Sequence, residues 1–80
     1  MKRLIVRPHD FEVTLEECPP GLFVYDNMLG LKTEYAIVGG GTEAYVCTSG
    51  ESFWGGAGTS ATRETLLVIP VDWEWEEYDA

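Results

Sequence analysis

Glycine- and proline-rich turn signals recur along this chain so closely that helices have little room. Five such signals lie at 19–21, 26–30, 39–41, 50 and 55–58. The runs between them are short and rich in β-branched and aromatic residues. This alternation of short apolar runs and turns is typical of an antiparallel meander.

The sequence predicts five strands and little else. The strands cover residues 3–7, 22–25, 31–38 and 43–48, with a last strand starting near 66. Five strands in 80 residues must curl to enclose one core, so we expect a mainly β fold, either a small antiparallel barrel or a rolled sheet. At most two short helical turns are added, at 14–17, where Thr14 and Glu17 match a capping box, and at 62–66.

The last strand has the clearest pattern. Apolar residues occupy its odd positions from 67 to 75, and Asp72, Glu74 and Glu76 stand between them. Successive side chains of a strand point to opposite faces, so the odd residues are predicted to face the core. The three carboxylates would then form a row on the other face, spaced roughly 7 Å apart.

The two ends of the chain carry opposite charge. Residues 1–7 hold three cations, whereas residues 72–80 hold five carboxylates. If the first strand pairs with the last, these cations would neutralise part of the carboxylate row, each exposed pair contributing about 0 to 1 kcal/mol. Pro70 lacks a backbone N–H and therefore predicts a sheet edge or a bulge in the last strand.

Composition indicates a small, acidic, globular protein. The 80 residues suffice for one domain spanning 1–80, with 76–80 as a flexible tail. Five Lys and Arg against 14 Asp and Glu give a net charge of −9, which disfavours direct binding to nucleic acid. No run approaches the roughly 20 apolar residues of a membrane span. Two cysteines are few for a small secreted domain, so we expect a cytoplasmic protein.

Motifs for catalysis and cofactors are weak. Residues 56–61 satisfy the letters of the dinucleotide fingerprint G-x-G-x-x-A, but the 19 residues that follow read as strand. His9, Cys18 and Cys47 lack the paired spacing of zinc ligands. Cys47 falls in a predicted strand where burial would silence the thiol, and Cys18 is expected to be more exposed. The sequence therefore predicts no enzyme, no metal site and no cofactor.

Four ordered segments carry a resemblance. They are PPGLF at 19–23, LGLKTEY at 29–35, EAY at 43–45 and SGESFWGG at 49–56. These segments resemble those of small proteins of unknown function encoded by tailed bacteriophages. The resemblance covers roughly 14–71 and leaves out the N-terminal arm and the acidic tail. It implies a phage origin and the cytoplasm of a bacterial host, without an established activity.

The main functional expectation is a phage-type binding module that inhibits a host protein through an acidic surface. Evenly placed carboxylates can occupy a basic groove built for phosphates, as a nucleic-acid mimic does. Exposed tryptophans would supply the apolar anchor that charges at the rim cannot. The host protein would have a basic surface and could belong to a defence system. The predicted contact residues are Glu51, Trp54, Asp72, Glu74, Trp75, Glu76 and Glu77.

Two alternatives remain open from the sequence. The first is a sponge for a nucleotide signal, in which Lys32, Arg63 and Trp54 meet the ligand and oligomerisation builds the pocket. The second is a minor virion or assembly component that associates through an exposed edge strand. The carboxylates of the last strand oppose the second alternative, because they would repel an identical edge.

Overall fold

The computed structural model describes residues 1–37 and 40–79. It contains, in chain order, β1 (Lys2–Pro8), β2 (Val13–Thr14), β3 (Gly21–Tyr25), β4 (Met28–Ala36), β5 (Thr42–Val46), α1 (Ser60–Glu64) and β6 (Leu67–Glu77). The strands form one antiparallel sheet in the order β1-β6-β3-β4-β5, and β2 also pairs with β6. The prediction of a mainly β fold is confirmed. Because the sheet does not close, the fold is the rolled sheet and not the barrel.

Strands β3 and β4 form a tight hairpin. Tyr25 pairs with Met28, and the two residues between them, Asp26 and Asn27, have φ values of 48° and 64°. Two successive positive φ values match the twist of a two-residue hairpin, and Asp and Asn tolerate them better than most residues. Strand β4 therefore starts at Met28, three residues before the sequence-based prediction.

The helical segments lie close to their predicted positions. The Thr14 hydroxyl accepts a hydrogen bond from the Glu17 amide at 3.1 Å, which caps a single turn as the sequence indicates. Helix α1 begins after Thr59, whose hydroxyl accepts from the Thr62 amide at 3.1 Å. The strand predicted at 31–38 ends at Ala36. Val38 at its end and Gly39 of the glycine loop lie outside the described residues.

The core lies on one face of the sheet. Phe23 of β3 and Val68 of β6 are fully buried there. A Cβ at Gly30 of β4 would stand 2.3 Å from Phe23 Cζ, so the glycine lets the phenyl ring lie across the neighbouring strand. Connecting segments cover this face from above. The buried cluster is Leu15, Cys18, Phe23, Ala44, Phe53 and Val68.

Strand β6 is long and extended as predicted, but the assignment of its faces is wrong. Val68 and Pro70 are buried, whereas Trp73 and Trp75 are 52% and 61% exposed; of the odd residues, Val71 alone is buried. The register pairs Pro70 with Phe23, which places the even residues of β6 on the core side. Alternation identifies which side chains share a face, but it does not identify the face that the rest of the chain covers.

Strand β6 is also an inner strand, which corrects the expected edge at Pro70. Its neighbour on one side changes from β1, paired through Val71, to β2, paired through Val68. Pro70 lies at this change, where its carbonyl accepts from the His9 amide at 2.9 Å. A residue without an N–H is tolerated at such an interruption of the ladder.

The C-terminal residues continue the ladder further than a flexible tail would. Glu76 and Glu77 belong to β6, and the Tyr78 amide donates to the Met1 carbonyl at 3.0 Å. The Arg3 guanidinium lies 5.3 Å from the centre of the Tyr78 ring.

Candidate binding surfaces on the two faces of the ribbon

Strands β1 and β6 extend beyond the core as a two-stranded ribbon. β6 pairs with β3 only at Ile69 and Pro70, whereas it pairs with β1 from Val71 to Glu77. The molecule is accordingly elongated, with principal extents of 46, 25 and 20 Å. Residues directly opposite in an antiparallel pair share a face, so the register defines two surfaces of the ribbon.

The first surface, here called the charged face, continues the core side of the sheet. It consists of Arg3, Ile5, Arg7, Asp72, Glu74 and Glu76. The predicted carboxylate row lies on this face, and its members have basic partners. Arg3 Nη2 lies 2.6 Å from Glu76 Oε1, and Arg7 pairs with Glu74. His9 Nε2 lies 3.1 Å from Asp72 Oδ2.

These ion pairs change the electrostatic character of the row. All the paired side chains on the charged face are substantially exposed, so each pair contributes about 0 to 1 kcal/mol and can exchange partners. Two guanidinium groups offset two of the three carboxylates. The charged face is therefore a ladder of mixed charge and not an uncompensated negative ridge.

The remaining negative charge is spread over the connections and strand ends. Glu77 lies 3.6 Å from the N-terminal amine. Among residues 1–37 and 40–79, eight exposed carboxylates make no ion pair. They are Asp10, Glu12, Glu16, Glu17, Asp26, Glu34, Glu51 and Asp79.

The second surface, here called the back face, is apolar and uncovered by any described segment. It consists of Leu4, Val6, Leu22, Leu31, Trp73 and Trp75. Leu4 lies opposite Trp75 and Val6 lies opposite Trp73. A shallow groove of about 250 Å³ runs between the two tryptophans and the three leucines. The indole rings meet edge to face, with centroids 6.2 Å apart.

The back face is large for a chain of this size. Its side chains other than Leu22 are 39% to 61% exposed. With roughly 250 Å² for a whole tryptophan, they present about 500 Å² of apolar surface. A contiguous apolar patch of about 300 to 600 Å² is the largest that a typical monomer exposes, and such patches are often functional.

Two polar residues of β5, Tyr45 and Glu43, border the back face. Tyr45 lies opposite Leu31, and its hydroxyl donates to Glu43. The Thr33 hydroxyl donates to the other Glu43 oxygen at 3.0 Å. The hydrogen bond from Tyr45 lowers the pKa of Glu43, and the bond from Thr33 lowers it further. The bond between Tyr45 and Glu43 also raises the pKa of Tyr45. Glu43 is therefore a fixed anion at neutral pH.

Trp54, a predicted contact residue, packs against the buried guanidinium of Arg63. Its ring lies 5.0 Å from the guanidinium of Arg63, a side chain that is only 2% exposed. Arg63 donates to the carbonyls of Phe53 and Thr42, and to that of Ala44 at 3.4 Å. Backbone carbonyls thus stabilise the buried charge, and the indole covers it.

Lys32, like Arg63, binds backbone carbonyls within the fold. Its amine donates to the carbonyls of Leu15 and Glu16 at 2.8 Å and to that of Cys18 at 2.5 Å. An ammonium has three N–H groups, so all of its donors are used. A phosphate bound by Lys32 would have to displace these bonds.

The cavity beside Lys32 also disfavours an anionic ligand. It measures about 350 Å³, and Glu16, Glu34 and Glu64 are among its lining residues. Carboxylates repel phosphate groups in such a cavity. Lys32 has no free donor for the nucleotide of the sponge hypothesis, and Arg63 is buried with three of its five N–H groups bonded to carbonyls.

The cysteines are exposed in the opposite order to that expected. Cys18 is buried in the core, whereas Cys47 lies exposed in the turn after β5. Desolvation raises the pKa of both thiols, and Lys32 opposes the rise at Cys18. Neither thiol is activated as a nucleophile.

Trp75 is the one predicted contact residue that lies on the back face, and its neighbours there were not predicted although the sequence contains a signal for them. Leu22, Phe23 and Val24 form an unbroken apolar run. A continuous run of this kind indicates a strand with apolar neighbours on both faces of the sheet. Strand β3 thus predicts that the side opposite Phe23 is apolar too.

No group of three or more His, Cys, Asp or Glu side chains within the described residues has an arrangement suited to a metal ion. In the same part of the chain, no helix is long and apolar enough to span a membrane. Comparisons with protein-family models, with curated proteins and with solved structures gave no match.

Proposed function

We propose that this chain is a non-enzymatic binding module whose back face docks on a partner protein with an apolar patch surrounded by basic residues. The observation that carries the proposal is the pair Trp73 and Trp75. Both indoles expose more than half of their surface beside Leu4, Leu22 and Leu31.

The apolar side chains would supply most of the binding energy. Tryptophan is enriched among the few interface residues that dominate binding, because a rigid indole buries a large area. The edge-to-face contact between Trp73 and Trp75 holds each ring in place before binding, which reduces the entropy lost on association.

Charge would select the partner and accelerate encounter. The chain carries a net charge of −9, and the anion Glu43 borders the back face. Glu77 lies at the far end of the ribbon. A basic partner would be steered toward this negative field, with an association rate that falls as salt rises. Asp72, Glu74 and Glu76 lie on the opposite, charged face, so they contribute through the long-range field and not by direct contact.

The resemblance to phage proteins suggests the biological setting of this proposal. The partner would be a host protein with a basic surface, such as a nuclease of a defence system, and docking would inhibit it in the host cytoplasm. The nucleotide-sponge alternative has less support, because the three donors of Lys32 are occupied and Arg63 is buried against backbone carbonyls.

Affinity capture from host cells that carry a defence system tests the proposal. Wild-type protein is compared with a Trp73→Ser/Trp75→Ser variant and with Tyr35→Ser. Tyr35 is the matched control, since it is 69% exposed and does not line the back-face groove. We expect wild type and the control to retain the same basic protein and the double variant to lose it. Equal retention by all three would refute the back face as the binding surface.

Binding measurements with the captured protein separate the apolar contribution to binding from the electrostatic one. The double tryptophan variant is expected to raise the Kd more than 100-fold, mainly through faster dissociation. Changing Asp72, Glu74 and Glu76 together to Ser is expected to slow association and flatten its salt dependence. An unchanged salt dependence would show that these carboxylates do not contribute to steering.

A further inference from the structure

The two edges of the sheet differ in how they are covered. At one edge, the segment after β5 folds back over that strand: Val46 N donates to the Glu51 carbonyl, and Phe53 N donates to the Ala44 carbonyl, both at 2.8 Å. At the other edge, β1 is the outer strand. No backbone hydrogen bond within the described residues reaches the outer side of β1.

The hydrogen bonds at the two ends of β1 fix which residues face outward. Met1 bonds to Tyr78, and His9 bonds to Pro70. Hydrogen-bonded pairs alternate with non-bonded pairs along an antiparallel ladder, so the odd residues of β1 direct their N–H and C=O groups toward β6. The even residues, Lys2, Leu4 and Val6, direct theirs outward.

The open edge is short and has a defined end. Pro8 has no N–H to offer on the outward side. The edge from residue 2 to residue 6 is therefore about 17 Å long, at roughly 3.4 Å per residue.

Two of the three cationic side chains of β1, the kind of charge that usually protects an edge, are paired within the chain. Free cations and prolines at an edge discourage another strand from pairing with it. Here Arg3 and Arg7 lie on the charged face and pair with Glu76 and Glu74 of their own chain. Their repulsion toward a second β1 strand is reduced accordingly.

We propose that a second copy of this chain adds along β1 in antiparallel orientation, joining the two sheets into one. The favoured register places Leu4 opposite Leu4 of the partner subunit and Arg3 opposite Ile5 of the partner subunit. The neighbouring register, with Ile5 opposite Ile5 of the partner subunit, would place Arg3 opposite Arg7 of the partner subunit, where like charges repel. The favoured register forms about six backbone hydrogen bonds through Lys2, Leu4 and Val6 of the two copies.

The pairing is self-complementary, so it ends at a two-fold dimer. It also places the two back faces side by side, because Leu4 and Val6 of each copy meet at the junction. The proposal is independent of the proposed function, since it rests on the backbone of β1 and not on the tryptophans. Only five residues per copy are joined, so the dimer is expected to be weak and its population to depend on concentration.

Two substitutions at one position test the proposal. Leu4→Pro removes the central outward N–H, whereas Leu4→Ala shortens the same side chain and keeps the N–H. Sedimentation velocity from the low micromolar to the millimolar range measures the monomer–dimer equilibrium. We expect wild type and Leu4→Ala to dimerise within severalfold of each other and Leu4→Pro to dimerise at least tenfold more weakly. Equal dimerisation of the two variants, or a wild-type monomer at all concentrations, would overturn the proposal.

Amide hydrogen exchange on the wild-type protein gives a second readout that does not depend on a variant folding. The N–H groups of Leu4 and Val6 should become protected as concentration rises, while that of Ile5 should be protected throughout. If Trp73→Ser/Trp75→Ser abolished association and the Leu4 N–H stayed unprotected, the copies would pack through their back faces and the edge proposal would be wrong.

Discussion

Replacing Arg63 with Met tests whether a buried cation organises the connections above the core. The substitution keeps much of the side-chain volume but removes the donors to the carbonyls of Phe53, Thr42 and Ala44. Three carbonyls would thus lose their charged donor in a largely buried site. The Ala44 carbonyl also accepts from the Phe53 amide, so it keeps one donor in the variant.

The magnitude follows from these contacts. A hydrogen bond to a charged group contributes about 1.5 to 3 kcal/mol, and a buried acceptor left unpaired costs about 1 to 3 kcal/mol. The new apolar contacts of Met offset part of this loss. We expect the free energy of unfolding to fall by about 3 to 5 kcal/mol. A domain of this length has a total stability of roughly 4 to 12 kcal/mol, so the variant would be partly unfolded at 37 °C.

Urea denaturation followed by far-UV circular dichroism measures the change. Arg63→Lys is the matched control, because it keeps the charge but lacks the planar guanidinium that donates from three nitrogens and stacks flat under the indole of Trp54. It should fall between wild type and Arg63→Met. A loss of less than 1 kcal/mol for Arg63→Met would show that the carbonyls find other donors and that the guanidinium is not needed to hold the connections.

Three further predictions concern packing, pH and thiol chemistry. Gly30→Ala should lower the free energy of unfolding by about 1 to 3 kcal/mol in a urea titration, because the new methyl group meets the ring of Phe23. The lowered pKa of Glu43 stabilises the fold above its ordinary value of 4.5, and this contribution is lost as pH falls through the lowered folded value. Tyr45→Phe should therefore reduce the difference in urea midpoint between pH 7 and pH 2, and an unchanged difference would contradict the assignment. Cys47 should react with a chromogenic disulfide more slowly than a free thiol at pH 7 and approach it above pH 9, because partial desolvation raises the pKa of its thiol.

Local signals in the sequence were sufficient to predict most of the strands. The positive φ values at Asp26 and Asn27 occur where the turn residues predict a hairpin. The sequence left the pairing of the first strand with the last as a condition, and the structure forms it, with Arg3 against Glu76 and Arg7 against Glu74. These features depend on neighbours in the chain or on one pair of strands.

The faces of β6 could not be predicted in the same way. Which side of Trp73 and Trp75 is covered depends on where the segments around Leu15 and Phe53 fold, and alternation within one strand carries no information about that. The roles of Lys32 and Arg63 were likewise hidden. Both bind backbone carbonyls far away in sequence, and a carbonyl leaves no residue-specific trace in the chain.

The occupied amine of Lys32 has a practical consequence for attaching the protein to a surface. The chain has two lysines, and the one at position 32 is held by three carbonyls. Amine-reactive esters should therefore couple at Lys2 and the α-amine, both at the tip of the ribbon near Trp75. A sensor chip prepared with such esters would hold the tryptophans close to the matrix, whereas coupling through Cys47, in the turn after β5, would attach the chain at the opposite edge of the sheet.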